Sequence, residues 1–595
     1  MAKTKLKKLR KLMKKDEIQA YLVPSTDPHQ SEYVPEMWNR REWLSGFTGS
    51  AGDLVITQKQ AGLWTDSRYF LQAEEQLKET EIKLFKLGTP GTPSIEQWIV
   101  TQLKAGNSVG IDPHLISQQH ASQLQTFFQT WKIKFKGLKN NLVDKIWKDQ
   151  PDFPETLVKP HPLKYAGKSS QGKIDSVRVE LKKEKCTAHI LTTLDTIAWL
   201  FNIRGKDIPF NPLVISYAII TLKETFLFIS SSKINKAVKN HLKSNIKIYD
   251  YCEFAKFLKK QFGKKDKIWL DPATVSWWIT DHLKNKCDLF LQESPIPGMK
   301  AIKNSIEIKG LKNAHIRDGV VMVKFLRWLE HTIGKEKVTE LSAAQKLEDF
   351  RKEQNLFQGP SFNTISAYQA HGAIVHYAAT PESDANLKQQ GIYLIDSGGQ
   401  YLDGTTDITR TLALGKPTSE QKDRFTRVLK GHIQLAMTRF PKGTAGNQLD
   451  TIARKSLWDV GLNYGHGTGH GIGSYLNVHE GPHAISYYRG IGVALEPGMI
   501  VSNEPGYYKG GEYGMRIENL ILVTQDEKMT PDGLEFYKFE TVTLCPIQLK
   551  LIERNFLSSD EIKWLNDYHQ RVRITIFPFL SAEEQDWLKE ATHPL

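Results

Sequence analysis

The sequence predicts a chain of α/β and α+β architecture in three parts. Two α/β domains, residues 1–150 and 151–299, precede a larger α+β domain, residues 300–595. Three observations predict it. Two proline-rich breaks interrupt the apolar periodicity: Gln150-Pro-Asp-Phe-Pro154 running to His161-Pro162, and Ser294-Pro-Ile-Pro-Gly298. Such breaks mark linkers and turns. Before the second break, strand-like and helix-like runs alternate, as in α/β domains; after it, helices and strands fall in separate runs, as in α+β domains.

The elements follow in order. Lys3 to Lys15 alternates Lys and Arg with Leu6, Leu9, Leu12 and Met13, which gives one apolar stripe of a first helix. It lacks the unbroken apolar core of a secretory signal and the Ser/Arg richness of a transit peptide, so a cytoplasmic protein is expected. Ala20-Tyr-Leu-Val-Pro-Ser-Thr-Asp27 then finds an echo in Ala188-His-Ile-Leu-Thr-Thr-Leu-Asp195. Trp43-Leu44 is echoed by Trp199-Leu200, Leu54–Thr57 by Ala218–Thr221, and Gly62–Trp64 by Thr225–Ile229. The first two domains are therefore read as distant copies of one unit, with helices such as Ser67–Gln76 between their strands. In the third part, Asn304–Gly334 and Ser342–Gln354 read as helices. Gly391–Ile395, Asp407–Leu414, Met499–Ser502 and Met515–Val523 read as strands. After Ile552 the chain returns to helix, with Ser558/Glu561 and Ser581/Glu584 spaced as capping boxes; this exposed tail is a candidate interface.

Composition narrows the function classes. With 40% hydrophobic and 25% charged residues the chain is too apolar for disorder. Four cysteines in 595 residues, without close pairs, exclude a disulfide framework and argue against a thiolate zinc site. Mean hydropathy is −0.41, and no run approaches the roughly eighteen apolar residues of a membrane span. The net charge of +14 resides in Lys-rich stretches such as Lys182–Lys185 and Lys259–Lys267. These lack an aromatic-interleaved stripe and read as solvated helix faces, so no nucleic-acid partner is expected.

Five residues of the third domain have the wrong polarity for their surroundings. Asp396 ends an apolar run, Asp407 precedes Ile408-Thr-Arg-Thr-Leu412, and Glu504 follows Met499–Asn503. Glu518 interrupts Met515–Val523, and His470 lies in the loop Gly465-His-Gly-Thr-Gly-His-Gly-Ile-Gly473. An ionised carboxylate buried alone costs several kcal/mol, so carboxylates that break apolar strands need cations. Four carboxylates and one imidazole suit two divalent metals, and oxygen-rich ligation favours hard ions such as Mn²⁺ or Mg²⁺. Singly, each residue has a plainer reading: a strand-end Asp caps a turn, and Glu518 pairs with Arg516 on the same strand face.

The combination resembles a family. Asp396-Ser-Gly with Asp407, Gly465-His-Gly-Thr-Gly-His470-Gly, Val478-His479-Glu-Gly-Pro482, Asn503-Glu504-Pro-Gly and Arg516-Ile-Glu518-Asn are similar to motifs of the pita-bread (creatinase/aminopeptidase) metallopeptidases. Leu22-Val-Pro-Ser, Gln30-Ser-Glu-Tyr33, Ser45–Gly52 and Leu63–Phe70 are similar to the first domain of the three-domain cytosolic aminopeptidase P, the Xaa-Pro aminopeptidases. The resemblance covers nearly the whole chain. It implies two creatinase-N-terminal-like α/β domains, a pita-bread catalytic domain and a homodimer. It also implies peptides with proline in second position as substrates, and two divalent ions, most simply Mn²⁺, as cofactors.

By the same resemblance Asp396, Asp407, His470, Glu504 and Glu518 hold the metals, with Asp407 and Glu518 bridging, and the metals activate a shared hydroxide. Glu504 acts as general base, His376 and His479 contact substrate, and His466 stabilises the transition state. Arg516 orients Glu518 and closes the proline pocket, Tyr508 walls it, and Arg68 approaches substrate from the first domain. His371 has no counterpart and is read as a loop residue. Two alternatives stay open: a prolidase-like dipeptidase, disfavoured by the duplicated N-terminal half, and a non-catalytic peptide-binding module, disfavoured by the complete ligand set.

Overall fold

The computed structural model describes residues 2–242, 245–487, 492–528 and 532–595. It divides into two compact units. The first comprises Met1–His161 and Lys168–Ile296, the second Pro162–Gly167 and Pro297–Leu595.

The first unit holds two six-stranded sheets of one design. In the first sheet the strands run Ile82–Lys86, Ala61–Thr65, Asp53–Thr57, Ala20–Val23, Ser108–Ile111 and Lys134–Gly137. In the second they run Ile246–Tyr249, Thr225–Ile229, Ser216–Thr221, Ala188–Leu191, Lys267–Leu270 and Asp288–Leu291. Each sheet has an antiparallel centre and parallel outer pairs. The repeated sequence segments occupy equivalent strands, and Trp43-Leu44 and Trp199-Leu200 lie on equivalent helices, Arg40–Ser45 and Leu194–Phe201. The two copies join through main-chain bonds, Gln118 N–H to Val275 O at 2.8 Å and Trp277 N–H to Ile116 O at 2.9 Å.

The lysine-rich start forms the helix Ala2–Lys15, with Leu6, Leu9 and Met13 fully buried and its lysines turned outward except Lys5, which donates to Trp43 O at 2.6 Å. One helix starts later than the sequence predicts. Phe70–Leu77 replaces Ser67–Gln76, because the Asp66 carboxylate accepts from Arg68 N–H at 3.1 Å and holds that stretch in a turn.

The second unit is built around the helix Ser305–Thr332, whose first turn is closed by an Asn304/Glu307 capping box. Gly310 and Gly319 let other chain segments touch that helix: a Cβ at Gly310 would lie 2.4 Å from Asp403 O, and one at Gly319 2.5 Å from Leu544 O. Two antiparallel sheets carry the residues singled out above. The smaller orders Ile365–Tyr368, Ile392–Ser397 and Ile408–Ala413. The larger orders Arg439–Pro441, Phe536–Thr541, Asn519–Asp526, Ile500–Asn503, Gly469–Gly471 and Glu480–Ile485.

Two expectations are corrected here. Met515–Val523 is not one strand: Tyr513–Arg516 belongs to a hairpin and Asn519–Asp526 to the larger sheet, with Glu518 at the crossover. The tail is not an exposed appendage. Its capping boxes form as predicted, but Leu565, Tyr568, Val572, Ile576 and Leu588 are buried with Val428, Leu429, Met515 and Ile517 in one core. Apolar periodicity shows that a helix has a buried face, not what that face meets.

Candidate metal centre

Antiparallel register brings the acidic residues together. Asp396 pairs with Thr409 across two neighbouring strands, which puts Asp407 beside it at a strand end. His470 lies on the short strand Gly469–Gly471, and Gly471 pairs with Val501, just before Glu504. Asn503 pairs with Asn519, bringing Glu504 and Glu518 to one end of the larger sheet. Two main-chain bonds fix these positions: Glu504 N–H to Thr468 O at 2.8 Å and Glu518 N–H to Thr409 O at 3.2 Å. Gly469 is required here, since a Cβ would lie 1.9 Å from Ser502 O.

Ligand atoms of Asp407, His470 and Glu518 all lie within 4.8 Å of one another. His470 Nε2 is 3.5 Å from Asp407 Oδ2 and 3.6 Å from Glu504 Oε1. Its Nδ1–H donates to Gly471 O at 3.0 Å, which leaves Nε2 facing the carboxylates. Ser502 Oγ donates to Glu504 at 3.2 Å and accepts from His470 N–H at 3.0 Å. Thr409 Oγ1 donates to Glu518 Oε2 at 2.7 Å.

The electrostatics point to bound cations. Asp396 Oδ1 and Asp407 Oδ1 are buried with no hydrogen-bond partner among the described residues. Burial pushes the Asp407 carboxyl up to about 6; the His470 bond opposes this, and Asp396 and Glu504 add to it. Glu518 is raised well above the carboxylate range, by burial and then by Asp407, Glu504 and Asp396. Burial would lower His470, but Asp407 and Glu504 outweigh it and raise the ring to about 9. Orphaned hard oxygens crowding one another with an imidazole are the donor set that divalent ions satisfy. Asp407, His470 and Glu518 therefore offer a ligand set that suits a metal ion, with Glu504 beside His470 and Asp396 close enough to raise Asp407 and Glu518.

A second layer joins the remaining residues. Arg516 donates to Asp396 Oδ2, to Thr409 Oγ1 at 3.1 Å and to Tyr508 Oη at 2.6 Å. It pairs with Asp396 rather than with Glu518. Tyr508 Oη in turn lies 2.8 Å from His466 Nε2, while His466 Nδ1 is 2.7 Å from Gly467 O. With Arg516 donating to the phenol oxygen, Tyr508 donates to Nε2, so His466 carries its proton on Nδ1. His479 stands with its ring perpendicular to that of His470, centroids 4.3 Å apart. His376 follows the 3-10 turn Gln369–Ala373, which lies against the Arg516 hairpin: a Cβ at Gly514 would be 1.7 Å from Gly372 O. Arg68 belongs to the first unit, where it makes a two-pronged pair with Asp66 at 2.8 Å.

Sequence reasoning missed two contributors. His371 is no loose loop residue: its Nδ1 is 2.9 Å from Glu340, a fully buried carboxylate that also accepts from Tyr377 Oη at 2.9 Å and Tyr368 N–H at 2.7 Å. This cluster pins the segment that carries His376. Arg410 is fully buried and gives its donors to the carbonyls of Thr409, Glu518, Cys545 and Pro546 and to Asn519 and Tyr568. An arginine inside the buried strand Ile408–Ala413 was the available signal.

Comparison with known proteins places this geometry. The description Creatinase/Prolidase N-terminal domain matches residues 5–144 and again 149–307. Metallopeptidase family M24 matches 309–525, and the C-terminal region of peptidase M24 matches 535–595. Xaa-Pro aminopeptidase 1 of Dictyostelium discoideum is 42% identical over 610 residues, 99% of this chain and 96% of that protein. Aminopeptidase P2 of Arabidopsis thaliana is 42% identical over 97% of this chain and 86% of its own. The crystal structure of X-prolyl aminopeptidase from Caenorhabditis elegans, described as a cytosolic enzyme with a di-nuclear active site, is similar with a TM-score of 0.96 and 36% identity over 100% of both chains. With two N-terminal domains of the creatinase/prolidase type ahead of a catalytic domain, the chain belongs to metallopeptidase family M24 and, within it, to the Xaa-Pro aminopeptidases.

Proposed function

We propose that this chain hydrolyses the bond between the first residue of a peptide and a following proline, at a two-metal centre held by Asp396, Asp407, His470, Glu504 and Glu518. The observation that carries this reading is the packing of buried, partnerless carboxylate oxygens around one imidazole whose Nε2 faces them. Divalent ions held there would supply Lewis acidity and lower the pKa of a bound water. Mn²⁺ fits the oxygen-rich set.

The chain's own groups do the rest. Glu504 accepts the proton of the attacking water and returns it to the departing proline nitrogen. His466, held by Tyr508 and Gly467, is assigned to stabilising the transition state. His376 and His479 contact the peptide. Tyr508 and Arg516 wall the proline pocket, where a ring lacking an N–H donor asks for shape rather than a hydrogen-bond acceptor. Arg68 is assigned to substrate; an unchanged KM in Arg68→Ala removes that assignment. A cytoplasmic homodimer completes the reading; light scattering and fractionation test it.

Metal-stripped protein is incubated with Xaa-Pro-Yaa, Xaa-Pro and a proline-free tripeptide, with and without Mn²⁺. Release of the first amino acid from Xaa-Pro-Yaa, and only with metal, is expected. Cleavage of the dipeptide alone makes the protein a prolidase. No cleavage by folded, metal-loaded protein leaves the binding module.

A further inference from the structure

Behind the substrate-side histidines lies a buried ion group that the reaction does not use directly. Glu480 follows His479 and opens the strand Glu480–Ile485. Its side chain is fully buried, as are those of Lys300 and Lys303. Lys300 Nζ is 2.7 Å from Glu480 Oε2. Lys303 Nζ pairs with Oε1 and donates to Lys300 O at 3.2 Å. Two lysines therefore hold both oxygens of one buried carboxylate.

The placement of Glu480 links this grip to the site. Glu480 is the cross-strand partner of Gly471, the residue after His470. A Cβ at Gly471 would lie 2.1 Å from Glu480 O, and one at Gly473 3.0 Å from Glu480 Oε2. The backbone that carries His470 is thus pressed onto Glu480, and the His479 ring stands 4.3 Å from the His470 ring. Gripping Glu480 by both carboxylate oxygens therefore fixes the peptide from which His479 projects. Lys303 is itself anchored, its N–H donating to Gly498 O at 3.0 Å.

We propose that Lys300 and Lys303, by gripping Glu480, are positioning residues that aim His479 at the peptide substrate. This rests on the reading of His479 as a substrate contact. The test uses the full-length, metal-loaded enzyme and a double-mutant cycle. Lys300→Met and Lys303→Met are made in the wild-type and in the His479→Ala background. Each leaves one lysine on Glu480; melting and metal content check that the fold persists.

In the wild-type background each methionine variant should lower kcat/KM for Xaa-Pro-Yaa about tenfold. In the His479→Ala background the further loss should be under about threefold. Equal losses in both backgrounds mean that the lysines merely support the fold, and overturn the proposal. So does unchanged kcat/KM in both variants. A normal kcat/KM in His479→Ala alone shows that the reading of His479 has failed, and the proposal falls with it. If a methionine variant does not fold, Glu480→Asp, which keeps the charge and shortens the arm, runs through the same cycle.

Discussion

Asp407→Asn should remove catalysis and yet stabilise the metal-free protein. In that state the Asp407 carboxyl sits at about 6 instead of its ordinary 3.8, through burial first, with the His470 bond opposing and Asp396 and Glu504 adding. At about 1.36 kcal/mol per pH unit, ionised Asp407 costs the metal-free fold roughly 3 kcal/mol. A carboxyl raised by folding makes the fold bind protons more tightly than the unfolded chain does. Its stability contribution is full below about pH 4 and is lost as pH rises through about 6. At pH 8 the whole cost is present, and asparagine removes it.

The same substitution takes a partner from His470. That ring, raised to about 9 against its burial, contributes a little over 1 kcal/mol at pH 8, shared between Asp407 and Glu504. The net gain is about 2 kcal/mol. At roughly 2–4 °C per kcal/mol for units of 150–250 residues, the metal-free variant should melt about 5 °C above metal-free wild type at pH 8. The gain should shrink toward pH 5. Metal at a hundred times its Kd should stabilise the wild type by about 2.7 kcal/mol and leave the variant nearly unmoved. Hydrolysis of Xaa-Pro-Yaa should fall by about a thousandfold or more. Calorimetric melts with and without Mn²⁺, beside a peptide assay, measure all three. Near-normal hydrolysis, or a metal-induced shift equal to that of wild type, refutes the reasoning.

Other outcomes follow from the same contacts. Tyr508→Phe deletes the hydroxyl between Arg516 and His466; losing a buried bond to a charged group, about 1.5–3 kcal/mol, should lower kcat/KM about 10- to 100-fold with metal content unchanged. Metal binding at pH 7 should release protons, because His470 is raised to about 9 and Glu518 is raised as well; titration calorimetry in buffers of different ionisation heat measures this, and affinity should weaken as pH falls. Gly514→Ala would put a Cβ 1.7 Å from Gly372 O; parting the Arg516 hairpin from the segment before His376 should cost about 1–3 kcal/mol and raise KM, read from melts and initial rates.

The proposed metal ligands stand out in the sequence because each violates the local pattern. Asp396, Glu504 and Glu518 end or interrupt apolar strands, and a buried charge in such a place needs a reason that nearby residues do not give. The duplicated half was legible because strand and Trp-Leu segments recur in the same order. What was not legible depends on partners distant in sequence. Arg410 meets Pro546 and Tyr568, and His371 meets Glu340; no spacing rule joins these positions. Tyr508 was read as a wall; that its hydroxyl also bridges Arg516 and His466 is set by how a hairpin lies on a loop. The break at Glu518 escaped because both flanking runs are apolar, and apolarity does not record a change of sheet.

The allocation of arginines explains why the site is left to metals. Two unit charges 4 Å apart repel by about 4 kcal/mol at an effective dielectric of 20, so four carboxylates in one buried cluster strain the fold. Arg351, Arg410 and Arg516 are buried near them, and Arg516 touches one directly, at Asp396. Arg351 is turned to Asp318 and Ser397. Arg410 spends its donors on carbonyls, an amide and a hydroxyl, one of them the carbonyl of Glu518 itself. A guanidinium reaching Asp407, Glu504 and Glu518 would quench their repulsion, but it would also fill the space that ions and peptide must enter. Arg410 instead holds the main chain of Glu518 from behind, and it also reaches Tyr568 of the helix Ser559–Ile576. The tail is thereby part of the centre's mechanical support, and loosening it should weaken metal binding before it touches the chemistry.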